Sequence, residues 1–278
     1  MSKKKTIKSL LLTLSMLVVA LIMLFPVYFL IVASLQPTQY MFSRGLSLTL
    51  GDTATLENYR ALFEYRKGLY TTWYWNSISI TVLQTVLSLI LSSIVGYALG
   101  MYQFKGKKLV FTLMLLVMMI PLEIIMLPLY KLTISFKIIN TYAGVILPFV
   151  VSPVCIFFFQ QYAASLEYSF MEAARIDGCT EFGIFTRVMV PLMTPAFGAM
   201  TILVAMNSWN GFLWPLIQLR TNERLMLPIG LASLISDSSQ KMQVLLPGAV
   251  LSIVPIVILF LFNQKKFIAG LTSGGVKA

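Results

Sequence analysis

The residue types best suited to chemistry gather in one short run, Glu172-Ala173-Ala174-Arg175-Ile176-Asp177-Gly178. The chemistry they suit is the docking of one protein surface on another rather than the making of bonds. Two acids and a guanidinium rim a pair of alanines, so that a partner backbone could approach closely between directional charges. Ser169 and Glu172 have capping-box spacing, in which the hydroxyl caps the helix and the carboxylate reaches back to its amide. Gly178 suits the left-handed residue that ends a helix, and Thr180 suits the cap of a second one. The pattern predicts a helix over 170–177, a tight glycine turn, and a second helix through Met189 that ends or kinks near Pro191. A plain, well-capped loop fits the same residues, and local physics leaves both readings open.

Other chemistry is thinly supplied. The chain has no histidine, which removes the usual acid–base and Ser–His–Asp arrangements. Its two cysteines, Cys155 and Cys179, read neither as a disulfide nor as part of a metal site, so no metal is expected. No glycine-rich phosphate loop of the Walker type occurs, so the chain is not expected to hydrolyse ATP or to be an enzyme. The net charge is +11, but no basic patch is interleaved with aromatics and the lysines cluster at the ends of apolar segments. No nucleic-acid partner is expected.

The elements that must position the charged run are apolar. Of 278 residues, 58% are hydrophobic and 11% charged, against roughly a quarter charged in a soluble domain. A membrane span takes about 20 apolar residues. Six stretches qualify, at 10–34, 76–99, 109–130, 142–162, 190–216 and 244–262. The first is too long for a signal-peptide core and lacks a clear cleavage site, so it reads as a retained span. Prolines inside the spans predict kinked, shaped helices. With both termini inside, the inner segments hold 12 Lys and Arg residues and the outer ones 9. The bias sharpens beside the membrane, at "KKKTIK", "KGKK" and "NQKK". This gives a cytoplasmic segment 1–9, a six-span domain over 10–262 and a cytoplasmic tail 263–278. The charged run then falls in an inner loop, 163–189. Trp73, Tyr74 and Trp75 fall at the outer interface, where an aromatic belt belongs.

Within the spans, Glu123 either lines a pore or is an interfacial acid neutralised by Lys131 or a neighbouring subunit. Asn207, Trp209 and Asn210 supply amides and an indole. These suit sugar recognition, and amides also serve as glue between helices.

The run "EAARIDGCTEFGIFTRVMVPLMTP" resembles the EAA motif of binding-protein-dependent ABC importer permeases, with its exit at Val190-Pro191-Leu192. Asp177-Gly178, Phe185, the stretch "NSWNGFLWPLI" and the tail "FIAGLTSGGVKA" are similar to the carbohydrate, maltose-type branch. The resemblance covers nearly the whole chain, with the motifs in the expected order. It implies an all-α integral membrane protein with six transmembrane helices, a MetI-like permease core and a cytoplasmic coupling helix. On this pattern Glu172, Ala173, Ala174, Arg175, Asp177 and Gly178 dock in a cleft of a cytoplasmic ATPase subunit. The tail residues Leu271, Thr272, Ser273, Gly274, Gly275, Val276 and Lys277 insert between the ATPase subunits. The last outer loop, with Arg220, Asn222, Arg224, Leu231 and Ser233, contacts an extracytoplasmic solute-binding protein. The implied partners are a second permease, two ATP-binding subunits that use ATP and Mg, the binding protein and membrane lipid. The chain itself binds no cofactor. The implied location is the bacterial plasma membrane and the implied cargo a carbohydrate, by preference an oligosaccharide. The alternative is a secondary transporter driven by an ion gradient. It wants intramembrane acids or an internal repeat, and the sequence offers Glu123 as the only clear acid in a span and no obvious repeat.

Overall fold

The structure, a computed structural model, describes residues 3–37, 54–235 and 239–273. All regular structure among them is helical. The chain divides into two compact units, one of residues 1–71 and 230–254, the other of 72–229 and 255–278.

The first unit begins with α1 (Lys3–Ser34). Its apolar side chains are largely exposed until Val32, Ala33 and Ser34, which are buried. Its last turn is tied down by α2 (Glu57–Glu64), where the Asn58 amide donates to Ser34 O at 2.9 Å and to Gln36 O at 2.8 Å. These bonds satisfy carbonyls that a helix end leaves open. Leu62 and Tyr70 complete this core, and the Tyr70 hydroxyl donates to Gly248 O at 3.1 Å. A Cβ at Gly248 would stand 2.8 Å from Leu231 Cδ2 and 3.1 Å from Tyr70 Cε2, so a larger residue here requires those side chains to shift.

The second unit contains most of α3 (Leu69–Met101). After it come α4 (Lys107–Met118), α5 (Leu122–Ser135), α6 (Tyr142–Ile146) and α7 (Pro153–Ala164). The charged run forms α8 (Ser169–Ile176), followed by α9 (Glu181–Leu192) and α10 (Thr194–Trp209). Then come α11 (Leu213–Gln218), α12 (Leu227–Ala232) and α13 (Ser239–Ser273), the last two each belonging in part to the first unit. The glycines of "GYALG" let α3 approach α7 closely. A Cβ at Gly96 would lie 2.5 Å from Phe159 Cβ, and one at Gly100 2.8 Å from Ala163 Cβ. The core beside this contact is rich in methionine: Met171, Met189, Met193 and Met200 are buried with Phe159 and Phe185. Unbranched thioethers fill irregular space, and the space here is irregular because Phe185–Met189 is a π turn inside α9.

Three helices are long and apolar enough to cross a membrane: Lys8–Ser34, Leu69–Met101 and Met242–Ile268. The other expected spans differ from straight rods. The stretch at 109–130 is two helices, α4 and α5, that meet at 101°. The break falls at Pro121, which is extended (φ −61°, ψ 140°) and cannot donate to the preceding turn. The stretch at 142–162 bends by 41° before Pro153, and α9 meets α10 at 78° between Pro191 and Pro195. Each bent pair counted as one span gives the six.

Candidate functional site

The charged element is built as a helix, a turn and a second helix. α8 ends where Gly178 takes φ 78°, and Thr180 caps the next helix by accepting from Gly183 N at 3.1 Å. The capping box does not form. Helix α8 begins one residue earlier than expected, Tyr168 stands at its cap without a side-chain capping bond, and the Ser169 hydroxyl donates to Glu167 at 3.2 Å. Glu172 is left free of that duty. It is exposed, with no side-chain partner among the described residues, as is Asp177.

The two alanines part company. Ala174 lies on the face of Met171 and is buried in the methionine-rich core, so it joins α8 to its own subunit. Ala173 is exposed beside Glu172. The outward surface is completed by Phe170, by Ile176 at 87% exposure and by Phe182 of α9 at 72%. The sequence reading missed these three. The three-residue spacing of Met171 and Ala174 is the signal that sorts the faces.

Arg175 does not rim the surface as a free charge. Its Nε donates to Glu181 Oε1 at 2.7 Å and its Nη2 to Glu181 Oε2 at 3.2 Å, while Nη1 donates to the Tyr168 hydroxyl at 3.0 Å. Glu181 also accepts from the Tyr102 hydroxyl, just beyond α3. The bonds from Arg175, then from Tyr102, hold the Glu181 carboxyl below the usual carboxylate range. The bond to Glu181 raises Arg175 further. Burial, then the bond to Glu181, raises the Tyr102 phenol.

A cavity of about 650 Å³ opens among α3, α6, α7, α10 and α11. Its polar lining is Gln84, Ser88, Ser152, Asn207 and Ser208, and its aromatic lining is Phe149, Phe212 and Trp214. The Ser208 hydroxyl bonds Gln84 Oε1 at 2.9 Å, and the Trp214 indole is committed to Gly144 O at 3.1 Å. Of the pore candidates only Asn207 lines this cavity. Trp209 is buried with its ring edge-on to Tyr74 at 5.8 Å, and Asn210 stands at the C-terminal end of α10. Glu123 is exposed in the first turn of α5, where a carboxylate complements the helix dipole, and no ion-pair partner for it, Lys131 included, occurs among the described residues.

The segment 220–227 is clamped. Trp73 Nε1 donates to Asn222 O at 2.7 Å, and the Asn76 amide donates to Glu223 O at 2.8 Å and Leu225 O at 2.9 Å. Leu227 N donates to Ser77 at 2.7 Å, and Asn140 Oδ1 accepts from Arg220 N at 3.0 Å. Tyr142 donates to the Asn76 carbonyl oxygen, and Arg220 bonds Tyr130. Trp73 is therefore a buried anchor and not a belt residue, while Trp75, at 60% exposure, remains free to be one. The side chains of Arg220, Asn222 and Arg224 are exposed on this fixed backbone. Leu231 and Ser233 belong to the first unit, where the Ser233 hydroxyl bonds Gly230 O at 2.6 Å. In the tail, Leu271, Thr272 and Ser273 continue α13, and Gly274, Gly275, Val276 and Lys277 lie outside the described residues.

Apolar, bent helices, a capped and charged element between two of them and a cavity among them are what a membrane transport permease requires. Residues 90–265, well over half of the chain, match the model of the binding-protein-dependent transport system inner membrane component, and the chain belongs to that family. In such systems the permease is distinct from the subunits that hydrolyse ATP. The chain is 51% identical over 278 residues to the arabinooligosaccharides transport system permease protein AraQ of Halalkalibacterium halodurans, covering 99% of each. It is 50% identical to the protein of that name from Bacillus subtilis, over 96% of this chain and 95% of the relative. The fold matches a chain in the crystal structure of a bacterial ABC transporter involved in the import of the acidic polysaccharide alginate. The TM-score is 0.84, with 24% identity over 95% of this chain and 98% of that one.

Proposed function

We propose that this chain is one of two permeases in an ABC importer that carries an oligosaccharide, built from arabinose by preference, across a bacterial plasma membrane. The observation that carries the reading is the half-identity, end to end, with two permeases named for arabinooligosaccharides. Glu172, Ala173 and Ile176, exposed beside one another in α8, are the surface that docks on an ATP-binding subunit. ATP and Mg act in that subunit and its twin. Both termini lie in the cytoplasm, and the tail from Leu271 onward reaches the ATPase dimer. The clamped segment with Arg220, Asn222 and Arg224 faces the extracytoplasmic binding protein. The cavity with Gln84, Asn207 and Phe149 lies along the solute path; its volume falls in the usual range for a small-molecule site, roughly 300–1,000 Å³.

The test is a pull-down of this chain from detergent-solubilised native membranes, followed by mass spectrometry and by uptake of labelled arabinotriose into cells with and without its gene. Recovery of an ATP-binding subunit and a second permease, with uptake lost on deletion, supports the reading. Recovery of the chain alone, with uptake that follows an ion gradient, overturns it.

A further inference from the structure

The bonds around Glu181 form a continuous chain. Tyr168 and Arg175 of the α8 region bond one another, Arg175 grips Glu181 with two bonds, and Glu181 accepts from Tyr102. Tyr102 in turn stands edge-on to Tyr97 with ring centroids 5.5 Å apart, and its carbonyl accepts from Lys107 at 2.9 Å. Tyr97 lies in the last turns of α3, and its ring packs on Phe185 of the π turn at 5.2 Å. The charged element is thus fastened to the end of α3 by side chains, besides being continuous with α9 through the backbone.

This fastening adds little stability. The side chains of Arg175 and Glu181 are 36% and 53% exposed, and exposed ion pairs contribute little to folding. What a bidentate guanidinium–carboxylate pair does well is fix direction. It closes the turn from Asp177 to Thr180, so α8 cannot tilt without dragging Glu181 and, through it, Tyr102. α3 is also the helix that supplies Gln84 and Ser88 to the cavity. A displacement of α8 therefore has two routes into the rest of its unit: along the backbone through α9, with its π turn and 78° bend, and across Arg175–Glu181–Tyr102 to α3.

We infer that Arg175, Glu181 and Tyr102 are positioning residues of the transport cycle, a side-chain link that carries motion of the docking helix to α3 and so to the cavity wall. The inference rests on the reading of α8 as the ATPase-docking helix. Glu181 and Tyr102 stand apart from the docking surface itself, so the link can be cut without touching that surface.

The test uses the complete importer in proteoliposomes, with its binding protein and labelled arabinotriose, and reads ATP hydrolysis, uptake and bound ATPase subunit separately. Glu181→Gln and Tyr102→Phe keep shape and remove the grip. The expected result is an unchanged amount of ATPase subunit on the complex and a fall in sugar moved per ATP of about fivefold or more for Glu181→Gln, the lower end of measured couplings between sites, with a smaller fall for Tyr102→Phe. The exchange Arg175→Glu with Glu181→Arg restores part of the ratio lost in either single variant. An unaltered ratio in Glu181→Gln overturns the inference. So does a proportional fall in bound subunit, hydrolysis and uptake, which marks a merely structural role. Failure of the docking reading is seen elsewhere: Ala173→Trp then leaves ATPase association intact.

Discussion

Two parts of the second unit are held in place by opposite means. The segment 220–227 is fixed by Trp73, Asn76 and Ser77, all buried, bonding directly to its backbone. The charged element is fixed by one exposed ion pair, two tyrosines and the buried faces of Met171 and Ala174. Buried bonds to backbone groups are costly to break because each leaves an unsatisfied polar atom. Exposed ion pairs are exchanged readily with water. The first arrangement suits a surface that must keep its shape when a large partner lands on it. The second suits a part that moves as a body on a methionine-lined seat.

The largest effect expected is on Glu172, whose carboxylate has no side-chain partner among the described residues. Glu172→Lys weakens ATPase association by about thirtyfold, the scale of an interface hot spot, and abolishes uptake, while the melting temperature of the purified chain is unchanged. Pull-down stoichiometry and differential scanning fluorimetry check both halves. A falling melting temperature would show Glu172 to be structural and erase the contrast.

Asn76→Ala inverts the pattern. It strands the buried Leu225 O and the half-buried Glu223 O, and costs about 3 kcal/mol, read as a clear drop in melting temperature with ATPase association retained. Trp73→Phe keeps the ring and loses the bond to Asn222 O, for about 1 kcal/mol. The smallest effect is with pH. Because Glu181 is held below the ordinary carboxylate range, its ionised form and whatever stability it lends persist above that range and are lost only as pH falls through the lowered value. The sugar-to-ATP ratio is therefore flat from about pH 7.5 to about pH 5, above an unperturbed glutamate near 4.3. A decline across that window, measured in proteoliposomes, would mean a Glu181 carboxyl raised above the ordinary range, against the direction its bonds to Arg175 and Tyr102 impose.

What the sequence disclosed follows the same division. Gly178 and Thr180 were legible because helix ends obey local rules of φ and capping. The family was legible from three motifs in the expected order between Met171 and Ala278. The inward turn of Ala174 was not, because "EAA" names three small or charged residues without saying which face the core takes. Ser169 and Glu172 had the right spacing for a box, yet the hydroxyl turned to Glu167, a nearer acceptor. The right angle between α4 and α5 was illegible to hydropathy, which measures how far an apolar run extends and not where it points; Pro121 was the only hint. Trp73 read as an interfacial aromatic because its bond lies 149 residues away at Asn222, a separation that no window along the chain spans.

The π turn at Phe185–Met189 can also be viewed as a length mutation frozen in place. A π turn carries one residue more than the α-helix it interrupts. Deleting that residue would restore an unbroken hydrogen-bond ladder and, at 3.6 residues per turn, rotate everything before it by about 100°. Met171 and Ala174 would leave their seat, and Glu172 would face a new direction. Insertions and deletions in this family should therefore be tolerated in the loops that flank the helices and selected against across these five residues, where one codon sets the compass bearing of the docking face.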